Sequence, residues 1–239
     1  LGRISGMAMP LIGLPFIVTG AIATNIVPTL SENMTLKRYD KIKRHINFSL
    51  KMTLFAAIPL TVIYLIYSEP LGLYIYEDME VSYFIRAMAL GTIFMALEHT
   101  FSGILNGLNN QLSATRNRLI GLGLQMICIY SLIGNPKFGI KGFFIGFFLS
   151  SITIFTLDLI TVRKRIKLKI GFKDILIKPI LSSLVMLISI YFSMHILERL
   201  IMDDSFRFFI SLAFGGVVYA FTMFIRKSIY KKQSGALSS

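Results

Sequence analysis

Uncharged apolar runs alternate with short clusters of charge along the whole chain. The first, Gly6–Leu30, has the length needed to cross a bilayer core and carries no charge. Read from Ile4, this run is the first of seven expected spans: 4–30, 52–67, 84–107, 119–133, 139–162, 179–197 and 208–225. The second has room to continue to Tyr76. The expectation is an all-α polytopic membrane bundle, one transmembrane domain over residues 1–239.

Proline interrupts this pattern. Pro10, Pro15 and Pro28 fall in the first span and Pro59 in the second. Each removes a backbone donor and crowds the preceding turn. In lipid the freed carbonyl needs another partner, so the first span is expected to be a bent helix with protein or a wet cavity beside it. Pro10, Pro15 and Pro59 are candidate bending points for a moving carrier, or else static kinks.

Charge falls unevenly between the spans. The 31–51 segment carries six Lys and Arg, and Leu36, Tyr39, Ile42, Ile46 and Leu50 recur at three- and four-residue steps within it. That periodicity suits an amphipathic helix lying among headgroups, with a solvated basic linker as the alternative. With seven spans, nineteen of the 25 Lys and Arg residues fall on one face, in the 31–51, 108–118 and 163–178 loops and the tail. The positive-inside rule makes that face cytoplasmic, which puts the N-terminal end outside and the C-terminus inside a cell membrane. Tyr67, Tyr74, Tyr76 and Tyr83 cluster on the opposite side, where an interfacial aromatic belt is expected.

Composition agrees. The chain is 54% hydrophobic and only 15% charged, with a mean hydropathy of +0.69. The net charge of +13 would suggest nucleic acid in a soluble protein. Its one-sided placement instead favours membrane lipids with anionic headgroups, and no nucleic-acid partner is expected. The one cysteine, Cys128, lies in an apolar span and reads as a packing residue. The opening Leu1-Gly2-Arg3 has no charged region leading to a cleavage site. The chain is expected to be the C-terminal piece of something longer.

Nothing resembles a catalytic arrangement. No phosphate-binding loop or metal-ligand spacing is present, His45, His99 and His195 are scattered, and Gly121-Leu122-Gly123 meets Met126 where a dinucleotide fingerprint needs glycine. We expect no enzyme activity, cofactor or metal. What remains is polar groups at membrane depth. Glu98, beside His99, is the sharpest: a carboxylate inside a span is costly unless paired, hydrated or protonated. It suits a proton or cation site, contacts to substrate hydroxyls, or a structural bond to His99 or a basic residue. Asn25, with Thr24, is a second candidate for a cavity wall. Asp158 is expected to pair with the basic run that follows it. Gly103-xxx-Gly107 and Gly142-xxx-Gly146 suggest close helix contacts.

Gly6-Met7-Ala8-Met9-Pro10, Leu14-Pro15, Val27-Pro28 and Ser31-Glu32 together resemble the GMAMP…LP…VP…SE run of the stage V sporulation protein B type of polysaccharide-biosynthesis exporters. These belong to the multidrug/oligosaccharidyl-lipid/polysaccharide flippase superfamily. Gly103-Ile104-Leu105-Asn106-Gly107-Leu108-Asn109 is similar to that family's GILQGLG-like segment, and Arg116-Asn117 and Gly139-Ile140-Lys141-Gly142 follow in the family's order. The resemblance implies the last seven helices of a fourteen-helix carrier, with the N-terminal half of the transporter as the missing partner. It also implies a lipid-linked saccharide or peptidoglycan-precursor substrate, moved across the bilayer in sporulation or envelope polysaccharide synthesis. Cavity arginines are implied too, and here only Arg3 and Arg86 are placed to serve. A cation-coupled multidrug exporter of the same superfamily and a non-transporting membrane scaffold are the alternatives.

Overall fold

The computed structural model describes residues 2–134, 138–167, 171–200 and 202–236, without the side chains of 172–174 and 224–236. The turn at Asn135-Pro136 and the basic side chains of the tail lie outside the described residues. Among the described residues the structure is helical throughout and has no strand. The helices are α1 (Ile4–Ile12, its first turn π-wound over Ile4–Ala8), α2 (Pro15–Thr35), α3 (Tyr39–Ile66), α4 (Ser68–Tyr76) and α5 (Met79–Gly107). After them come α6 (Gln111–Cys128, ending in a π-turn over Ile129–Ile133), α7 (Lys141–Ile166), α8 (Phe172–Leu197) and α9 (Asp204–Ala236).

Helix α5 is the mast of the bundle. It packs against α2, α3, α4 and α7, while α6 lies along α7 and the α8–α9 hairpin leans on α3. Two apolar clusters stack along the bundle axis. One joins Leu30, Ile42, Ile46, Phe101, Ile104 and Val162, and the other joins Ile12, Tyr64, Ile85, Met88, Phe147 and Phe208.

The first span is bent as expected. Helices α1 and α2 meet at 59° across Gly13-Leu14, and Pro15 opens α2. Proline at position 15 cannot donate to the carbonyl of Leu11, one turn back. The Tyr64 hydroxyl, reaching across from α3, donates to that oxygen, which also accepts from Leu14 N–H at 3.0 Å. The same solution recurs at Pro59, which frees the carbonyl of Phe55. Tyr219 of α9 donates its hydroxyl to Phe55 O at 2.8 Å. Each bond supplies a donor in place of the one the proline removes, at a depth where lipid offers none.

The small-residue steps mark close contacts. A Cβ placed on Gly107 would lie 2.8 Å from Leu30 Cβ and 3.0 Å from Val27 O, and one on Gly103 would lie 3.2 Å from Ala23 Cβ. Gly142 and Gly146 let α7 approach Leu132 and Cys128 in the same way, so buried Cys128 is a packing residue.

Several expectations are corrected. The basic 31–51 segment is not a separate interfacial helix or a linker. Thr35 ends α2, residues 36–38 make the turn with Lys37 at φ 53°, and the rest is the first half of α3. Its apolar residues face inward: Ile42 and Ile46 are fully buried and Leu50 is 1% exposed. The second span stops at Tyr67, and α4 is a separate helix. Tyr67 and Tyr74 pack on Phe208 at 5.9 and 5.7 Å between ring centres, so only part of the expected aromatic belt faces outward. Five helices are long and apolar enough to span a membrane, six with the bent α1–α2 pair. The fourth expected span, 119–133, is the latter part of α6 with its π-turn, and the first turns of that helix carry Gln111, Arg116, Asn117 and Arg118 and fall short of a uniform apolar run.

Two outcomes follow from this packing. Gly107→Leu forces α2 and α5 apart and is expected to destabilise the chain by about 1–3 kcal/mol; thermal unfolding in detergent measures it. Tyr219→Phe leaves Phe55 O unpaired at a loss of about 1 kcal/mol, and the same melting curve with Pro59→Ala added should recover most of it.

Candidate functional site: a polar seam between α5, α6 and α7

Polar residues at membrane depth gather where three helices meet. Asn117 and Arg118 sit on consecutive positions of α6, so they address two neighbours at once. The Asn117 side chain donates to Asp158 Oδ1 of α7 at 2.8 Å and lies 3.3 Å from Thr161 Oγ1, one turn on. Thr161 in turn donates to Leu157 O within its own helix at 2.7 Å. Asn117 and Asp158 are each 1% exposed. Arg118 turns the other way, its Nε 3.9 Å from Glu98 Oε1 on α5. The Glu98 side chain is 15% exposed and that of Arg118 is 62% exposed, so the pair closes the open side of the seam.

The sequence points Asp158 to the basic run after it; the structure gives it a donor on the facing helix, Asn117. Glu98 takes the basic partner among the options considered for it, and not His99. One residue on, and a third of a turn round, His99 faces α2. Its Nδ1 lies 2.9 Å from Thr19 Oγ1 and its ring packs 5.2 Å from that of Phe16.

Asn25 lies outside this seam. Its amide donates to Ala21 O on its own helix at 2.8 Å, beside Thr24 Oγ1, which reaches the same oxygen at 2.9 Å. Its exposed face opens on a groove of about 520 Å³ between α2 and α3, lined also by Ile17, Thr29, His45, Phe48 and Met52.

The two candidate arginines sit at the other end of the bundle. Arg3 Nε contacts Asp78 Oδ2 at 2.6 Å, and Arg3 Nη1 contacts Glu80, which ties α1 to the start of α5. Asp78 caps α5 by accepting from Glu80 N–H at 2.9 Å. Arg86 lies 3.9 Å from Glu69 of α4. The structure thus brings Arg3 and Arg86 to one end, puts Glu98 in the seam, and leaves Asn25 on a separate face.

This fold is shared with a solved protein. The structure of "Lipid II flippase MurJ, inward closed conformation" superposes with a TM-score of 0.66 over 93% of this chain and 48% of that one, at 22% identity. The family model described as lipid II flippase MurJ matches residues 7–225. The chain belongs to the MurJ family. Among curated proteins, this MurJ-family chain is 25% identical to stage V sporulation protein B of Bacillus subtilis (strain 168) over 173 residues. That match covers 72% of the chain and 33% of the relative. The chain thus spans about a third of the curated relative and about half of the solved MurJ chain.

Sequence reasoning missed Asn117 and Arg118 as partners because it ended a loop at Arg118. The available signal was spacing: Asn117 and Gly121, four apart, form one face of a helix that begins near Gln111. Asn117→Leu should cost about 1–3 kcal/mol by leaving Asp158 without its donor. Adding Asp158→Leu should return part of that loss, and a double-mutant cycle in detergent gives the coupling.

Proposed function

We propose that this chain forms one lobe of a flippase that carries a lipid-linked saccharide, of the lipid II type, across a cell membrane. Membership of the MurJ family carries the reading. The similarity to a sporulation protein favours a place in spore or envelope polysaccharide synthesis. The other lobe, an N-terminal half of the transporter, completes the path.

Glu98 and Asn25 are the path's polar positions. Glu98 is held at membrane depth by one arginine at 3.9 Å, a contact long enough to be exchanged as the lobes rock. Asn25 and the α2–α3 groove face away from α5, on the side open to a partner lobe. Arg3 and Arg86 form the outer rim, where a diphosphate would compete with Asp78, Glu80 and Glu69 for them. Pro10, Pro15 and Pro59 supply the bends along which α1–α2 and α3 move. The N-terminal end outside and the C-terminus in the cytoplasm complete the reading, supported by the one-sided distribution of Lys and Arg among the loops of the sequence.

The test places Glu98→Gln in the full-length transporter and follows translocation of lipid-linked precursor in cells that depend on it. A fall of tenfold or more at unchanged expression is expected. Translocation at the normal rate would remove Glu98 from the mechanism. Drug efflux that collapses with the cation gradient, with envelope polymers unaffected, would point to a multidrug exporter instead.

A further inference from the structure

A second polar site lies at the end of the bundle that holds the α2–α3 turn. It is a groove of about 380 Å³ between the first turns of α6 and the last turns of α7. Its rim carries Arg116, Lys164 and Arg165, and its floor carries Asn110, Asn117 and Thr161. Leu157 and Ile160 complete the wall on the side toward mid-span, and Ile160 is 43% exposed. Among the described residues no carboxylate forms an ion pair with Arg116, Lys164 or Arg165. The nearest acid, Asp158, is 1% exposed and engaged by Asn117.

One function of Lys164 and Arg165 is local. At the C-terminal turn of α7 they offset the negative end of the helix dipole. That role does not account for Arg116, which sits within the second turn of α6, where a cation gains nothing from the dipole. Nor does it account for the convergence of two helices' cations on a floor of amide and hydroxyl groups. Three cations on one groove, with the Asn110 amide beside them, match a phosphate. The apolar wall that runs from them toward mid-span matches the top of an acyl chain.

We propose that this groove binds the phosphodiester headgroup of an anionic phospholipid, with Arg116, Lys164 and Arg165 on the phosphate and Leu157 and Ile160 against the first methylenes. The groove adjoins the seam, sharing Asn117 and Thr161 with it, but Glu98 and Arg118 do not line it, and the proposal stands whether or not the chain carries lipid-linked saccharide. A basic side chain near an anionic surface contributes about fivefold in affinity, so the three together contribute about a hundredfold.

The experiment uses the full chain in nanodiscs containing phosphatidylglycerol and phosphatidylcholine, and counts retained lipids by native mass spectrometry after release into detergent. The unaltered chain should retain phosphatidylglycerol over phosphatidylcholine. The triple variant Arg116→Gln, Lys164→Gln, Arg165→Gln should lose that preference by tenfold or more. A control with Lys37→Gln, Arg38→Gln and Lys41→Gln, of the same charge, should keep it. All six positions are exposed, and matching circular-dichroism melts establish that both variants fold. Equal loss in the control, or retention in the triple variant, would overturn the site in favour of a diffuse basic face. Displacement of the lipid by a few millimolar inorganic phosphate would overturn the lipid source and assign the groove to a soluble phosphate.

Discussion

A backbone carbonyl released inside a bilayer has no water to turn to, and this bundle is arranged around that fact. Pro15 and Pro59 each free one such oxygen, and a tyrosine from another helix takes it up in both cases. The two bonds are placed where they also fix tertiary structure. Tyr64 joins the broken first helix to α3, and Tyr219 joins α3 to the last helix. A bend that would weaken a lone helix thereby becomes a joint between helices. Both rings are buried, at 1% and 4% exposure, so neither hydroxyl has solvent as an alternative partner.

The same accounting governs the polar seam. Asn117 bridges Asp158 and Thr161 across the α6–α7 contact, whereas Glu98 has only a long contact to a half-open arginine. One set is settled and the other is exchangeable. The first set holds α6 to α7, and the second leaves one charged position at membrane depth whose partner can change. At the far end Arg3 is held by Asp78 and Glu80, whereas Arg86 has only a long contact to Glu69.

The helical class was legible because long uncharged runs have few other stable forms in lipid. The bend at Gly13-Leu14 was legible because proline spacing has a direct geometric result. Glu98 stood out as a lone acid within an apolar span. Depth and partnership were not legible. The steps between Ile42, Ile46 and Leu50 specify a helix, but nothing in a period says whether its apolar stripe meets lipid or α5; here it meets the core. In the same way the chain order of Arg116, Asn117 and Arg118 does not reveal that successive side chains address three different surroundings. Tyr64 and Tyr219 were invisible as partners, because the carbonyls they serve lie 53 and 164 residues away.

The α8–α9 hairpin touches the other helices chiefly through α3, with α4 adding a lesser contact near Phe208. The seam lies beyond α5, on the opposite flank. The hairpin therefore hangs mainly on one post and is pinned at one end by a single aromatic peg, Phe208. What it meets in the surrounding membrane reaches the polar seam by way of α3 and that peg.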